Sequence, residues 1–338
     1  MMRKDISFLL FGLVAGAVLT AGVFVGVLRS GGSDSKSGAT IIKLAHVLDE
    51  SHPVHKGMVD MNRRLRELSG GTVELLIIAN SPLGSETECL SQVRSGALAM
   101  TKVSAAALET FVPEMKVFSL PYLFRDSEHF WNVLNGPIGK ELLQAGESAG
   151  LHGLCYYDSG SRSFYTTSKP ILTPADVEGM KIRVMQSPMA MDLIEMFGGA
   201  PAPIAWGELY TALQQGMVDG AENNEPSLST SRHYEVAKHY SLDEHTSIPD
   251  VLVMSKLACD RLAPQVQAWL TQAAQESAPV QRKLWKEQVE KSLEEVKAAG
   301  VTIYHPDKAP FVEASAPMYE PYEGKPLGRL AERIREVE

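Results

Sequence analysis

The stretch that decides the fold is residues 181–226, KIRVMQSPMAMDLIEMFGGAPAPIAWGELYTALQQGMVDGAENNEP. It opens with Lys181, Ile182, Arg183 and Val184, so a strand here buries Ile182 and Val184 on one face and turns Arg183 to the other. Ser187 and Pro188 carry the signals of a helix start: a side-chain oxygen that caps free N–H groups, and a ring already set to the helical φ. Met189, Leu193 and Phe197 form the apolar stripe of that helix, and Gly198-Gly199 ends it. The pattern then repeats. A short strand is predicted over residues 203–206 and a helix over 208–215 with Leu209, Ala212 and Leu213 at helical spacing; Met217-Val218-Asp219 then leads through Gly220 to the polar run ending in Glu222, Asn223, Asn224 and Glu225. Strands joined through helices are parallel with right-handed crossovers, and open parallel sheets bind ligands at the carboxyl ends of their strands. Arg183, Gln186, Trp206 and Asn223 belong near that edge.

The rest of the chain, from residue 40, alternates in the same way. Strands are predicted over residues 41–47, 72–78, 97–103 and 151–157, and helices over 53–68 and 86–95, with two short helices over 128–150. Residues 264–299 read as one helix of roughly 50 Å, longer than a small domain is wide. Its apolar positions Leu270, Ala273, Val280, Leu284, Val289, Leu293 and Val296 recur along its length, so it must pack on two bodies, with a kink expected at Pro279.

Composition bounds the function. A chain of 338 residues, 44% hydrophobic and 22% charged, is ordinary globular material long enough for two domains. Its net charge of -9 argues against nucleic-acid binding, which needs a basic surface. Cys89, Cys155 and Cys259 have no zinc spacing and read as small buried hydrophobes. Arg3-Lys4 precedes an uncharged run over residues 6–28, long enough to span a membrane, with no good cleavage site after it. An uncleaved anchor followed by a flexible linker, with the globular part outside the cytoplasm, is the favoured reading over a cleaved signal.

Several polar residues are candidates for a site. Arg183, in an otherwise apolar strand, needs a carboxylate, because an unpaired guanidinium is costly to desolvate. Either an internal Asp or Glu supplies it, or a ligand carboxylate does through two parallel N–H···O bonds suited to the planar fork. Arg162, read alone, is a surface charge, Asn223 a residue that satisfies a turn, and Trp206 a core aromatic. His46, Glu86, Lys102 and Ser104 fall at strand or helix ends; singly they are ordinary solvated residues, and together they offer mixed donors and acceptors for hydroxyl groups. His46, His52, His55 and His245 lack the spacing of a metal site. With no G-x-S-x-G, Walker A loop or G-x-G-x-x-G, neither an enzyme nor a cofactor is expected.

The quoted stretch resembles the DctP-type substrate-binding proteins of tripartite ATP-independent periplasmic (TRAP) transporters. The likeness is carried by KIRV at 181–184 with Pro188, ELYTALQ at 208–214, DGAEN at 219–223, SPLG at 81–84 and SLPYLF at 119–124, and it extends over nearly all of residues 40–338. It implies an α/β, two-lobed periplasmic binding protein fold of the Venus-flytrap kind, with a long C-terminal helix spanning both lobes. Residues 1–39 would be signal or membrane anchor and linker, 40–159 with 249–288 the first lobe, and 160–248 with 289–338 the second. The resemblance implies that Arg183 is the carboxylate-binding arginine, that Arg162 is a second arginine, that the Asn223 amide serves the same carboxylate, that Trp206 packs on the ligand, and that His245 lies at the cleft. Residues 157–166 and 241–246 are most similar to binders of glucuronate or galacturonate, so the implied partners are a hexuronate and the membrane permease subunits, with the chain itself a monomer. A C4-dicarboxylate, an aldonate or a keto acid is the alternative ligand; a periplasmic sugar-acid hydrolase or lyase and a sensory ectodomain are the rival functions. Glu225 departs from the family, where an uncharged or aromatic residue often stands, and bears on the rim.

Overall fold

The computed structural model describes residues 38–338; the expected N-terminal anchor and most of its linker lie outside the described residues. Strands β1 (Thr40–Ala45), β2 (Val73–Ile78), β3 (Met100–Ser104) and β4 (Leu151–Tyr157) come first in the chain. They are followed by β5 (Arg162–Thr166), β6 (Lys181–Val184), β7 (Ala200–Pro203), β8 (Gly220–Asn223) and β9 (His239–Thr246), then β10 (Asp250–Ser255) and β11 (Thr302–Tyr304). They form two mixed sheets, ordered β2-β1-β3-β10-β4 and β11-β9-β5-β8-β6-β7. The chain leaves the first sheet after β4 and returns with β10, which runs antiparallel between β3 and β4.

In the second sheet β6 is parallel to both β7 and β8, as the helix-connected pattern requires. Arg183 is paired with Ala202 on one side and Ala221 on the other. Two methyl-sized neighbours leave a long side chain room to lie across the sheet. Ser187 caps the helix Pro188–Met196 by accepting from Ala190 N at 3.1 Å, as read from the sequence. One boundary differs: the strand expected over 203–206 is β7 at Ala200–Pro203, and Trp206–Glu208 is a 3-10 turn. β7 is an edge strand, where the missing N–H of Pro201 and Pro203 costs nothing.

The helix Pro264–Ala298 is continuous through Pro279 and packs along both the helix Pro53–Leu68 and the helix Glu225–Thr230. It joins the core of the first sheet through Leu270, Ala273 and Trp285 and that of the second through Val296. Val280, expected on the buried stripe, is 37% exposed. The stripe passes instead through Ser277 and Gln281, two polar residues outside the predicted apolar row. Both are buried because each has a partner. Ser277 Oγ lies 2.7 Å from Tyr157 Oη, and the Gln281 amide accepts from Asp158 N at 2.7 Å and donates to Asp158 O at 2.9 Å. Gln281 thereby clamps the crossover from β4 to β5. Gly57 lets the helices meet there, since a Cβ on it would stand 2.7 Å from the Gln281 side chain.

A third core contains residues of both sheets and their helices, among them Val103, Phe164, Ile182, Leu193 and Phe311. The last helix, Pro326–Arg335, lies against the 3-10 segment Pro113–Ser119. The three cysteines are free, Cys89 and Cys155 buried and Cys259 partly exposed. Among the described residues no helix is long and apolar enough to cross a membrane.

Candidate functional site

The ends of β3, β5, β6, β8 and β10 converge on a cavity of about 50 Å³ between the two sheets. Arg183 enters it from β6, 3% exposed. Its Nε donates to Ile204 O at 2.9 Å, and its Cζ lies 5.5 Å from the centre of the Trp206 ring. Its Nη1 is buried with no hydrogen-bond partner, the only such side-chain atom among the described residues. Native proteins rarely leave a buried donor unmatched, still less one on a cation. Burial pulls the guanidinium below its ordinary value, and no partner reverses this.

Arg162, across the intervening β8, shows the opposite condition. Its Nε and Nη2 grip both oxygens of Glu222, Nη2 donates to Glu222 O at 2.7 Å, and Nη1 donates to Asn223 Oδ1 at 3.0 Å. Burial works against this charge too, but Glu222 outweighs it and raises the arginine above its ordinary value. Asn223 Oδ1 also accepts from Asn224 N at 2.9 Å. With its oxygen doubly engaged, Asn223 has its Nδ2 left to donate beside Arg183.

The first sheet supplies the other wall. Lys102 Nζ lies 3.2 Å from Glu86 Oε1 and 3.2 Å from Asp250 Oδ2, and Glu86 Oε1 also accepts from Ser104 N at 3.1 Å. Burial disfavours the ammonium, yet Asp250 and Glu86 together raise it above its ordinary value. Glu86, Lys102, Ser104, Arg162, Arg183, Trp206 and Asn223 therefore share one cavity.

Three expected residues do not reach it. His46 is turned away, its Nε2 3.0 Å from His55 Nδ1 and its Nδ1 accepting from Leu48 N; burial, with Lys102 nearby, lowers it to about 2. Gln186 uses its amide oxygen on Thr87 Oγ1 at 2.7 Å, bridging the two sheets at the rim. His245 lies one layer behind Arg162, its Nδ1 2.7 Å from Asp243 Oδ2 and its Nε2 3.6 Å from Glu222 Oε2. Burial opposes its charge, but the two carboxylates prevail and lift it to about 9. Glu225, in the first turn of its helix, is also outside the cavity; burial, aided by Glu244 and Asp158, raises it to about 7.

Sequence reading missed Asp250, His52, Ser159, Asn224 and Ser227, which also line the cavity. Asp250 was within reach, since it heads an otherwise apolar strand, the same signal that singled out Arg183. His52 caps the helix Pro53–Leu68 through Nδ1 while its Nε2 lies 3.4 Å from Ser227 Oγ across the cleft. Only the tertiary fold makes that second contact visible.

The family model for bacterial extracellular solute-binding proteins, family 7, matches residues 44–325. The chain belongs to this family. It is an extracytoplasmic solute-binding protein with the two-lobed α/β architecture of its solved relatives. A TRAP periplasmic solute-binding protein from a Bradyrhizobium species, crystallised with galacturonate, is 44% identical with a TM-score of 0.85 over 87% of this chain and 99% of its own. One from Roseobacter denitrificans, with β-D-glucuronate bound, is 39% identical at 0.85 over 88% and 100%. A third, from a Polaromonas species and bound to D-erythronate, is 32% identical at 0.86 over 88% and 99%.

The His245 geometry carries a pH signature. Its folded value of about 9 lies above the ordinary 6.5, so the paired imidazolium stabilises the fold fully below about pH 6.5 and loses that contribution as pH rises through about 9. The stability deficit of His245→Gln, from urea denaturation, is expected to shrink between about pH 6.5 and about pH 9.5. A deficit that stays constant or grows would mean the ring is neutral.

Proposed function

We propose that this protein captures a hexuronate, glucuronate or galacturonate, and hands it unchanged to the membrane subunits of a TRAP permease. The observation that carries the reading is Arg183 Nη1, a buried donor on a cation with no partner among the described residues. A ligand carboxylate satisfies it, with Asn223 Nδ2 as a second donor and the Trp206 ring against the sugar. The neighbouring Arg162 is occupied by Glu222 and serves to hold Asn223. Glu86, Lys102, Ser104 and Asp250 meet the hydroxyl groups. Two relatives at 44% and 39% identity hold galacturonate and glucuronate, which supports a six-carbon acid over a shorter one.

Binding then works by closure. The lobes are residues 40–159 with 249–288 and residues 160–248 with 289–338, joined at the three crossovers between those ranges. The cavity of about 50 Å³ holds only a few waters at ~10–15 Å³ each, so a sugar acid enters through an opened form and the lobes close over it. Thr87–Gln186 and His52–Ser227 are contacts that such opening would break. Nothing in this cycle makes or breaks a covalent bond, and turnover of a uronate by the purified protein would contradict it.

Titration calorimetry tests the assignment. Arg183→Ala is expected to weaken uronate binding by about 2 to 5 kcal/mol, roughly 30- to 5,000-fold, because the carboxylate stays buried without its partner. Neutral galactose is expected not to bind the unaltered protein, since it leaves Arg183 unpaired. A change of less than about threefold in Arg183→Ala would remove this residue from the ligand site.

We further propose that the basic and apolar N-terminal segment stays on the mature protein as a membrane anchor. Mass spectrometry of membrane-extracted protein is then expected to find peptides that contain Val27 or Leu28. A mature N-terminus beyond Gly31, on protein free in the periplasmic fraction, would contradict it.

A further inference from the structure

Charge is distributed unevenly between the two walls of the cavity. On the second sheet Arg162 is neutralised by Glu222, and among the described residues Arg183 keeps a buried donor without a partner. On the first sheet two carboxylates, Glu86 and Asp250, share one ammonium, Lys102. Lys102 spends a proton on each, and among the described residues the only further donor to the pair is Ser104 N, on Glu86 Oε1. Within the described residues Glu86 Oε2 and Asp250 Oδ1 accept no hydrogen bond, although both residues line the cavity. Burial raises the Asp250 carboxyl above its ordinary value; Lys102 and, more weakly, Arg162 favour its charge, but the Arg162 N–H groups are committed to Glu222 and Asn223. His52, the other titratable group facing this space, accepts from Val54 N through Nδ1 and is held neutral by burial, so it offers a donor without a charge. The first-sheet wall thus carries a net negative charge and free acceptors, whereas Arg183 fixes where a ligand carboxylate must go.

We infer that Glu86 and Asp250 set the specificity of this site against dicarboxylates: their wall accepts hydroxyl donors and repels a second ligand carboxylate at the end remote from Arg183. The inference rests on the sugar-acid reading and adds a discrimination to it. A uronate presents one carboxylate and several hydroxyls and suits both walls. The aldarate of the same carbon skeleton, which differs by carrying a carboxylate at the other end, meets Arg183 equally well and then places like charge against like charge in a space with little water to screen it. Lys102 does not rescue it, being already shared between two anions.

The test is titration calorimetry of matched acid pairs, galacturonate with galactarate and erythronate with meso-tartrate, on the unaltered protein, Glu86→Gln and Asp250→Asn. In any pair that binds, the monoacid is expected to be favoured by about a hundredfold or more. Each variant, by removing one negative charge at nearly constant shape, is expected to narrow that ratio by about tenfold. The ratio is the readout because a merely structural loss weakens both acids alike. Its change in the variants also separates charge from ring form, galacturonate being cyclic and galactarate open. Galactarate binding the unaltered protein within about threefold of galacturonate would overturn the inference and leave the uronate reading standing. Erythronate binding where uronates do not would overturn the uronate reading, and the erythronate–tartrate ratio would then decide the inference. A ratio unmoved in both variants would overturn the roles of Glu86 and Asp250, and binding of none of the four acids would overturn both readings.

Discussion

A guanidinium held in the protein interior with an unmatched donor is the constraint on which the rest of the site depends. Desolvating an unpaired cation costs several kcal/mol, and the fold tolerates it through partial measures. The Ile204 carbonyl takes one N–H, the Trp206 ring faces the charge, and two alanines beside it in the sheet leave it room. A second free cation on β5, just across β8, would make the position untenable, and Arg162 is not left free. It sits at the head of an alternating row, Arg162, Glu222, His245 and Asp243, in which each charge faces its opposite. That row neutralises Arg162, orients Asn223, and leaves Arg183 as the unsatisfied group a solute can complete.

The frame around this site holds its walls at a defined separation. The long helix clamps the crossover through Gln281, whose amide binds both backbone groups of Asp158, and Trp285 packs closely on Gly160, where φ of +59° suits glycine. Across the cleft Glu109 accepts from Ser187 Oγ and Met189 N, so a carboxylate packed with the first sheet completes the cap of the helix that follows Arg183. The Arg183 strand and the first-sheet wall are thereby tied together close to the site, which is what a binding protein needs if closure is to read the ligand.

Much of this was legible in the sequence because local rules and long-range packing agree there. The alternation in Lys181–Val184, the Ser187-Pro188 helix start and the polar run after Gly220 specify the edge that carries Arg183 and Asn223 before any contact is known. The contacts that escaped are those decided by partners distant in sequence. Ser277 and Gln281 look like solvent positions on the long helix, yet they are buried because Tyr157 and Asp158 wait for them. His46 and His245 have the right place along the chain and the wrong direction in space, one turned toward His55 and the other behind Glu222. Arg162 and Arg183 are alike as residues, and only the position of Glu222 makes one structural and the other available.

The seat of the solute carboxylate decides the role of Arg183. A crystal structure of the protein with galacturonate is predicted to place that carboxylate within hydrogen-bond distance of Arg183 Nη1 and Asn223 Nδ2, with the Arg162–Glu222 pair intact and the sugar hydroxyls toward Glu86 and Asp250. A carboxylate seated at Lys102, or a bound sugar acid that leaves Arg183 Nη1 without a partner, would contradict it.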